Sequence, residues 1–68
     1  MEITINNQLR SIPADSVTVQ HILDLEIPKR QKGVAVAVNN VIVPKAEWDT
    51  YPVLSQDKIL IIKATQGG

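Results

Sequence analysis

Two glycines, Gly67 and Gly68, stand at the end of the chain, shortly after the apolar run at positions 59–62. Glycine has no Cβ and tolerates nearly any backbone angle, so such an end passes through a channel that a larger side chain would block. The pattern predicts that the Gly68 carboxylate reacts in another protein's active site. Small residues also collect at chain ends without any function, so the two glycines alone leave both interpretations open.

The rest of the sequence offers little side-chain chemistry. It has no cysteine, which excludes disulfides and cysteine-based zinc sites, and it has no phosphate-binding loop or Ser-His-Asp set. His21 is expected to be a solvated surface residue, because it lies off the apolar stripe of a predicted helix. Asp15, Asp24 and Glu26 are not spaced for metal binding or acid-base work. We therefore expect neither an enzyme nor a cofactor or metal bound by the chain itself.

The amino-acid composition limits the classes of partner that the chain is expected to bind. Seven basic and seven acidic residues give a formal charge of zero over 68 residues, so we expect no nucleic acid and no membrane surface as a partner. No apolar run approaches the roughly 20 residues that span a bilayer, and no signal peptide opens the chain. The sequence predicts a single cytoplasmic domain over residues 1–68, with a flexible Gly-Gly tail.

The first half of the chain predicts a hairpin and a helix. Apolar and polar side chains alternate over 1–6, which is typical of a strand with one buried face. Asn6 and Asn7 tolerate the positive φ of a hairpin turn, and a second strand is expected over 9–12. Thr18 is a suitable N-cap for a helix whose apolar residues follow at helical spacing. Because Pro28 disfavours helical geometry at the residue before it, the helix should end near Glu26.

The second half predicts strands separated by turns. The run 34–38 is apolar on both faces, which favours a buried strand, and Asn39-Asn40 should form the next turn. The remaining expectations are a short strand over 41–43, a helical turn over 45–48, a loop at 51–52, a turn at 55–57 and a last strand over 58–64.

Two strands, a helix and two or three further strands predict an α+β fold. One helix covers only one face of a sheet, so we expect a mixed sheet of four to five strands with the helix packed on one face. If the first and last strands are central neighbours, this is the ubiquitin-like β-grasp arrangement. Periodicity alone does not establish that pairing.

One segment carries a more specific signal. The block VAVNNVIVPKAEW at 36–48, together with Asp57, the isoleucine-rich strand and the terminal Gly-Gly, resembles the ThiS family of thiamine-biosynthesis sulfur carriers, in which an A-x-N-x-x-x-V-P-[KR]-x-x-W block and a Gly-Gly end occur on a β-grasp fold. The sequence departs from that pattern at Gln56, where many relatives have glycine. If the turn needs positive φ, glutamine strains it by roughly 1 kcal/mol.

The resemblance implies a covalent role for the tail. A ubiquitin-activating-like adenylyltransferase of the ThiF type, using ATP and Mg, would adenylate Gly68, while Gly67 and Gln66 thread its active site. Sulfur from a donor such as a cysteine desulfurase would then convert the carboxylate to a thiocarboxylate. A thiazole synthase of the ThiG type would accept that sulfur.

Two alternatives stay open. A related β-grasp carrier would send its sulfur to molybdopterin or to tRNA, and a non-covalent interaction module would use only its sheet. An outward-facing set within 59–64 would mark a partner surface beside the tail, but the sequence does not say which residues face outward. Trp48 is expected to pack in the core rather than anchor a partner, and Tyr51 is ambiguous. Solvated loop charge is the default for Lys29, Arg30 and Lys32, with partner contact as the alternative.

Overall fold

A computed structural model describes residues 1–29 and 32–63. Five strands form a mixed sheet in the order β2-β1-β7-β4-β5, and two more strands, β3 and β6, form a small second sheet. The elements are β1 (Glu2–Ile5), β2 (Gln8–Ser11), β3 (Ser16–Thr18), helix α1 (Val19–Glu26), β4 (Val34–Val38), β5 (Val41–Val43), a 3-10 turn (Lys45–Glu47), β6 (Pro52–Leu54) and β7 (Lys58–Lys63).

The first and last described strands are neighbours in the middle of the main sheet. β1 and β7 run parallel, with Thr4 opposite Lys58 and Ile5 opposite Ile59. β7 also pairs antiparallel with β4 along its length. This pairing, with one helix against one face, confirms the predicted β-grasp arrangement.

Helix α1 has the predicted limits. The Thr18 hydroxyl accepts a hydrogen bond from the His21 amide at 3.1 Å, which caps the first turn. At the other end the Ile27 amide donates to the Leu23 carbonyl at 2.8 Å, and Pro28 follows. The helix buries its apolar stripe, Val19, Ile22 and Leu23.

The core is almost entirely aliphatic. Burying one aliphatic side chain fully contributes about 1.5–3 kcal/mol, so the buried aliphatic residues supply most of the free energy that stabilises the fold. Trp48 is 3% exposed, and its indole N–H donates to the Val43 carbonyl at 3.0 Å. This confirms that Trp48 packs in the core, while Tyr51 lies half-buried against it. The core residues are Ile3, Ile5, Ile12, Val19, Ile22, Leu23, Val36, Val38, Val43, Trp48, Val53, Ile59 and Ile61.

Both asparagine pairs form turns, as predicted. Asn6 and Asn7 have φ of 49° and 68°, and Asn39 and Asn40 have φ of 51° and 69°. Gln56 also has positive φ, at 73°. The turn before β7 therefore needs the geometry that glycine adopts without strain, and the glutamine carries a cost of roughly 1 kcal/mol.

Several predicted boundaries were wrong. The loop expected at Pro52 is instead the start of β6, which pairs with β3 through Thr18 opposite Pro52 and Val17 opposite Val53. Proline suits the first position of an edge strand, where its missing N–H is not needed. β2 begins and ends one residue earlier than predicted, at Gln8–Ser11. The Ile12 amide still donates to the Met1 carbonyl at 2.8 Å, just beyond the end of the strand.

Other expectations need smaller corrections. In β4 the residues Val36, Ala37 and Val38 are buried but Ala35 is exposed, so the strand is not covered on both faces along its whole length. The last strand ends at Lys63, and Ala64 lies outside the described residues. Within residues 1–29 and 32–63, no helix has the length and apolar character needed to cross a membrane.

Candidate functional site

The predicted reactive residues, Gln66, Gly67 and Gly68, lie outside the described residues. The site that the structure describes is therefore the base of the tail: strand β7, its neighbours and the surface around Lys63. Lys63 is the last residue of β7. Whatever holds β7 fixes the position from which the tail departs.

β7 is held unequally on its two sides. On the β4 side the register runs from Val38 opposite Ile59 to Val34 opposite Lys63. On the β1 side only two residue pairs are matched, and the last is Ile5 opposite Ile59. The ladder on that side therefore stops well before the strand ends.

The Asn6 side chain extends the shorter ladder. Its Oδ1 accepts a hydrogen bond from the Ile61 amide at 2.8 Å, and its Nδ2 donates to the Ile61 carbonyl at 3.4 Å. The Asn6 amide donates to the Ile59 carbonyl at 2.9 Å. One side chain thus replaces a strand residue, and it ties the first hairpin turn to the strand that leads to the tail.

A second polar cluster fixes the start of β7. The Asp57 carboxylate accepts from the Leu54 amide at 2.8 Å and from Asn39 Nδ2 at 3.0 Å. Asn39 Oδ1 in turn accepts from the Lys58 amide at 2.9 Å. Side chains from two turns therefore set the register of β7. The sequence predicted Asn6 and Asn39 only as turn residues, and it gives no signal for the side-chain hydrogen bonds that they form with β7.

The structure settles which residues of the last strand face outward. Ile59 and Ile61 point into the core, whereas Ile62 is 50% exposed and Leu60 is partly exposed. The register places Ile62 opposite Ala35, and Ile42, 60% exposed, shares this face through Ala37. We name this surface, away from the helix, the outer apolar patch: Ala35, Ile42, Leu60 and Ile62.

The outer apolar patch adjoins the base of the tail, because Ile62 directly precedes Lys63. Contiguous exposed apolar side chains on a small protein are typical of an interaction surface. An outward-facing set in β7 was predicted from the sequence, but Ile42 was not. Val41, Ile42 and Val43 are all apolar, so no alternation in the sequence marks Ile42 as outward-facing.

The other candidates have surface or structural places. His21 is exposed, as predicted, and so are Lys29 and Lys32, while Arg30 lies outside the described residues. Glu26 pairs with Arg10, with Nη2 and Oε1 3.1 Å apart. Among residues 1–29 and 32–63, no group of His, Cys, Asp or Glu could hold a metal ion.

Comparison with known proteins agrees with this arrangement. The chain matches the ThiS family over residues 3–68. It belongs to that family. The sulfur carrier protein ThiS of Escherichia coli (strain K12) is 35% identical over 68 residues, and the match covers 100% of both chains.

Solved structures of this family share the fold. The crystal structure of the thiamine biosynthesis protein ThiS from Geobacter metallireducens superposes with a TM-score of 0.87 at 22% identity, covering 100% of both chains. A solution structure of a thiamine biosynthesis protein from the same organism gives a TM-score of 0.81 at 22% identity, covering 100% of this chain and 88% of the other. The ubiquitin-like β-grasp fold is therefore common to this chain and its relatives.

Proposed function

We propose that this chain is a sulfur carrier of thiamine biosynthesis that holds sulfur as a thiocarboxylate on Gly68. The observation that carries the proposal is the family match, which extends to residue 68 and so includes the terminal Gly-Gly. The name of the E. coli relative, a sulfur carrier protein, further supports a role as a substrate of other enzymes. The central position of β7 suits this role, because it gives the tail a rigid base.

A carboxylate must be activated before sulfur can replace one of its oxygens. Nucleophilic attack on it adds charge to an anion and finds no good leaving group. In the proposed first step, a Gly68 carboxylate oxygen attacks the α-phosphorus of Mg-ATP in the partner adenylyltransferase, and pyrophosphate leaves. The product is an acyl-adenylate, from which AMP is a good leaving group. Gly67 and Gln66 lie in the channel of the partner during this step.

Sulfur enters in the second step. The outer sulfur of a persulfide, supplied by a donor such as a cysteine desulfurase, attacks the acyl carbon and displaces AMP. A thiol then reduces the sulfur–sulfur bond of this acyl disulfide and leaves the thiocarboxylate on Gly68. A thiazole synthase takes the sulfur and restores the carboxylate. All of these enzymes work in the cytoplasm, and the carrier itself binds neither ATP nor metal.

The outer apolar patch is the docking surface that we propose for the adenylyltransferase. It lies on the face opposite helix α1 and extends along β7 as far as Ile62, the residue before Lys63. A partner that covers Ile62 therefore lies next to Lys63, the last described residue before the tail. Burying the exposed half of an isoleucine contributes about 1 kcal/mol.

Alkylation after the reaction tests the covalent step. The carrier is incubated with the adenylyltransferase, Mg-ATP, a persulfide donor and a thiol, then treated with iodoacetamide and weighed as an intact chain. Because the sequence has no cysteine, one carbamidomethyl group per chain is the expected result and reports the thiocarboxylate. The mass increase before alkylation does not identify the thiocarboxylate. Oxidation of Met1 raises the mass by nearly the same amount as the exchange of oxygen for sulfur.

Two variants control this experiment. Deletion of Gly67 and Gly68 should leave the fold intact and abolish labelling. Gly67→Val should also prevent labelling, because it puts a branched side chain in the channel. If the wild type takes no label, or the deletion variant is labelled equally, the proposal fails.

Docking and pathway are tested separately. Ile62→Ser should weaken binding to the adenylyltransferase by about four- to tenfold, whereas Leu54→Ser, at a similarly exposed position (52%) in the small sheet, should not. Equal effects would contradict docking on the outer apolar patch.

Disruption of the gene should create a requirement for the thiazole. Loss of molybdoenzyme activity or of tRNA thiolation instead would assign the sulfur to another acceptor.

A further inference from the structure

A shallow depression of about 280 Å³ lies where helix α1 ends beside the last residue of β7. The depression lies on the helix side of the sheet. Successive side chains of a strand point to opposite faces, so Lys63 shares the inner face with Ile59 and Ile61, whereas Leu60 and Ile62 face outward. It is therefore separate from the outer apolar patch. Its lining residues are Glu26, Ile27, Pro28, Lys29 and Lys63.

The acidic residue of this depression has an ion-pair partner among the described residues, whereas its two lysines do not. The Glu26 carboxylate is compensated by Arg10, whose Nη2 lies 3.1 Å from Oε1. Lys29 and Lys63 are exposed, and neither forms an ion pair with any residue in 1–29 or 32–63. The chain as a whole is neutral, so the positive charge here is local. Two lysine ammonium groups attract an anionic group, and in a protein segment that group is an Asp or Glu carboxylate.

The backbone beside Lys63 is also open on one side. β4 flanks β7 as far as Lys63, but the β1 ladder ends at Ile59 and is continued only by the Asn6 side chain at Ile61. Backbone groups alternate between the two sides of a strand, so the Lys63 N–H and C=O point the same way as those of Ile61. Within the described part of the chain, no strand lies opposite them there. One extended segment fits this edge.

We propose that an extended, carboxylate-bearing segment of the adenylyltransferase docks at the end of β7, with its carboxylates on Lys29 and Lys63. The proposal rests on the proposed function and specifies a second contact between the same two proteins. The partner segment then pairs with the end of β7, and the adenylyltransferase contacts both faces of the sheet beside Lys63. Ion pairs at such a rim chiefly affect the rate and salt dependence of association.

The lysines are positioning residues in this scheme. Gly68 is five positions after Lys63, a span of up to about 18 Å when extended. With the tail drawn into a channel, neither ammonium reaches the reacting carboxylate or the ATP phosphates. Loss of a lysine should therefore raise KM for the carrier and leave kcat unchanged.

The test compares Lys63→Gln and Lys29→Gln with Gln8→Glu. All three lower the net charge by one, but Gln8 lies on edge strand β2 opposite Ile5, at the level where β7 begins. Carrier-dependent ATP–pyrophosphate exchange by the adenylyltransferase is measured at about 50 and 500 mM salt. At the lower salt each lysine variant should raise KM by about two- to fivefold, and at the higher salt the difference should nearly vanish. Gln8→Glu should match the wild type, and Lys63→Arg should restore its KM.

The possible results are distinct. If the wild type supports exchange but the lysine variants behave like Gln8→Glu, the docking inference is wrong and the proposed function stands. If kcat falls while KM is unchanged, the lysines act in the chemistry and the positioning role is wrong. If the wild type supports no exchange, both proposals fail.

Discussion

Replacing Asn6 by glycine should destabilise the protein by about 1–2 kcal/mol. The substitution removes the bond from the Ile61 amide, which is 2.8 Å long, and the weaker contact to the Ile61 carbonyl at 3.4 Å. A typical hydrogen bond contributes about 1 kcal/mol net, and an amide left unsatisfied in a partly buried place costs more. Glycine adds no backbone strain to this loss, because Asn6 has φ of 49° and glycine adopts that angle freely.

Asn7 provides the matched control. It has a similar positive φ, 68°, and no described hydrogen bond involves its side chain. Asn7→Gly should therefore change stability by only a few tenths of a kcal/mol. Asn6→Ala should lose about 1 kcal/mol more than Asn6→Gly, since alanine adds left-handed strain to the same lost bonds.

Urea unfolding followed by tryptophan fluorescence gives these differences directly, because Trp48 is the only tryptophan and is buried in the core. In a domain of this size each kcal/mol also corresponds to about 4–8 °C in Tm. Amide exchange adds a local readout: the Ile61 amide should exchange faster in Asn6→Gly, while that of Leu60, which faces β4, should not. Equal stability of the Asn6→Gly and Asn7→Gly variants would refute the role of Asn6 as a substitute strand residue.

Three further predictions concern stability. Gln56→Gly should raise the free energy of unfolding by about 1 kcal/mol, since it removes a left-handed glutamine, and Gln56→Ala should give no such gain in the same urea titration. Trp48→Phe should lower Tm, measured by circular dichroism, because the Val43 carbonyl loses a donor worth about 1–3 kcal/mol; an unchanged Tm would show that this bond is not stabilising. Acetylation of the Met1 ammonium, which donates to the Ile12 carbonyl at 2.6 Å, should cost about 1–3 kcal/mol, and comparison of acetylated and free chains by thermal unfolding checks this.

The sequence predicted the elements whose signals are local. Asn6-Asn7 and Asn39-Asn40 predicted both hairpin turns, because few other residues accept positive φ. Thr18 and Pro28 predicted the helix limits, since a cap and a helix breaker act within one turn of the chain. The Gly67-Gly68 end and the 36–48 block predicted the family. All of these depend on a few adjacent residues.

The features that the sequence did not predict depend on distant parts of the chain. Positions 59–62 are all apolar, so no alternation reveals that Ile59 and Ile61 face inward; pairing with β1 and β4 decides it. β3 and β6 have three residues each, too few for a period to emerge. Asn6 bonds Ile61 across 55 positions, and turn propensity gives no sign of that second role.

The parallel pairing of β1 with β7 has a consequence for how the molecule assembles. The centre of the sheet forms only when positions 5 and 59 meet, so nearly the whole chain is enclosed in one loop and its closure entropy must be overcome before those contacts form. Folding should therefore be cooperative and late, with the sheet left incomplete in any chain that lacks its last strand. A half-made or clipped copy would then lack both the complete outer apolar patch and the strand that fixes the base of the tail.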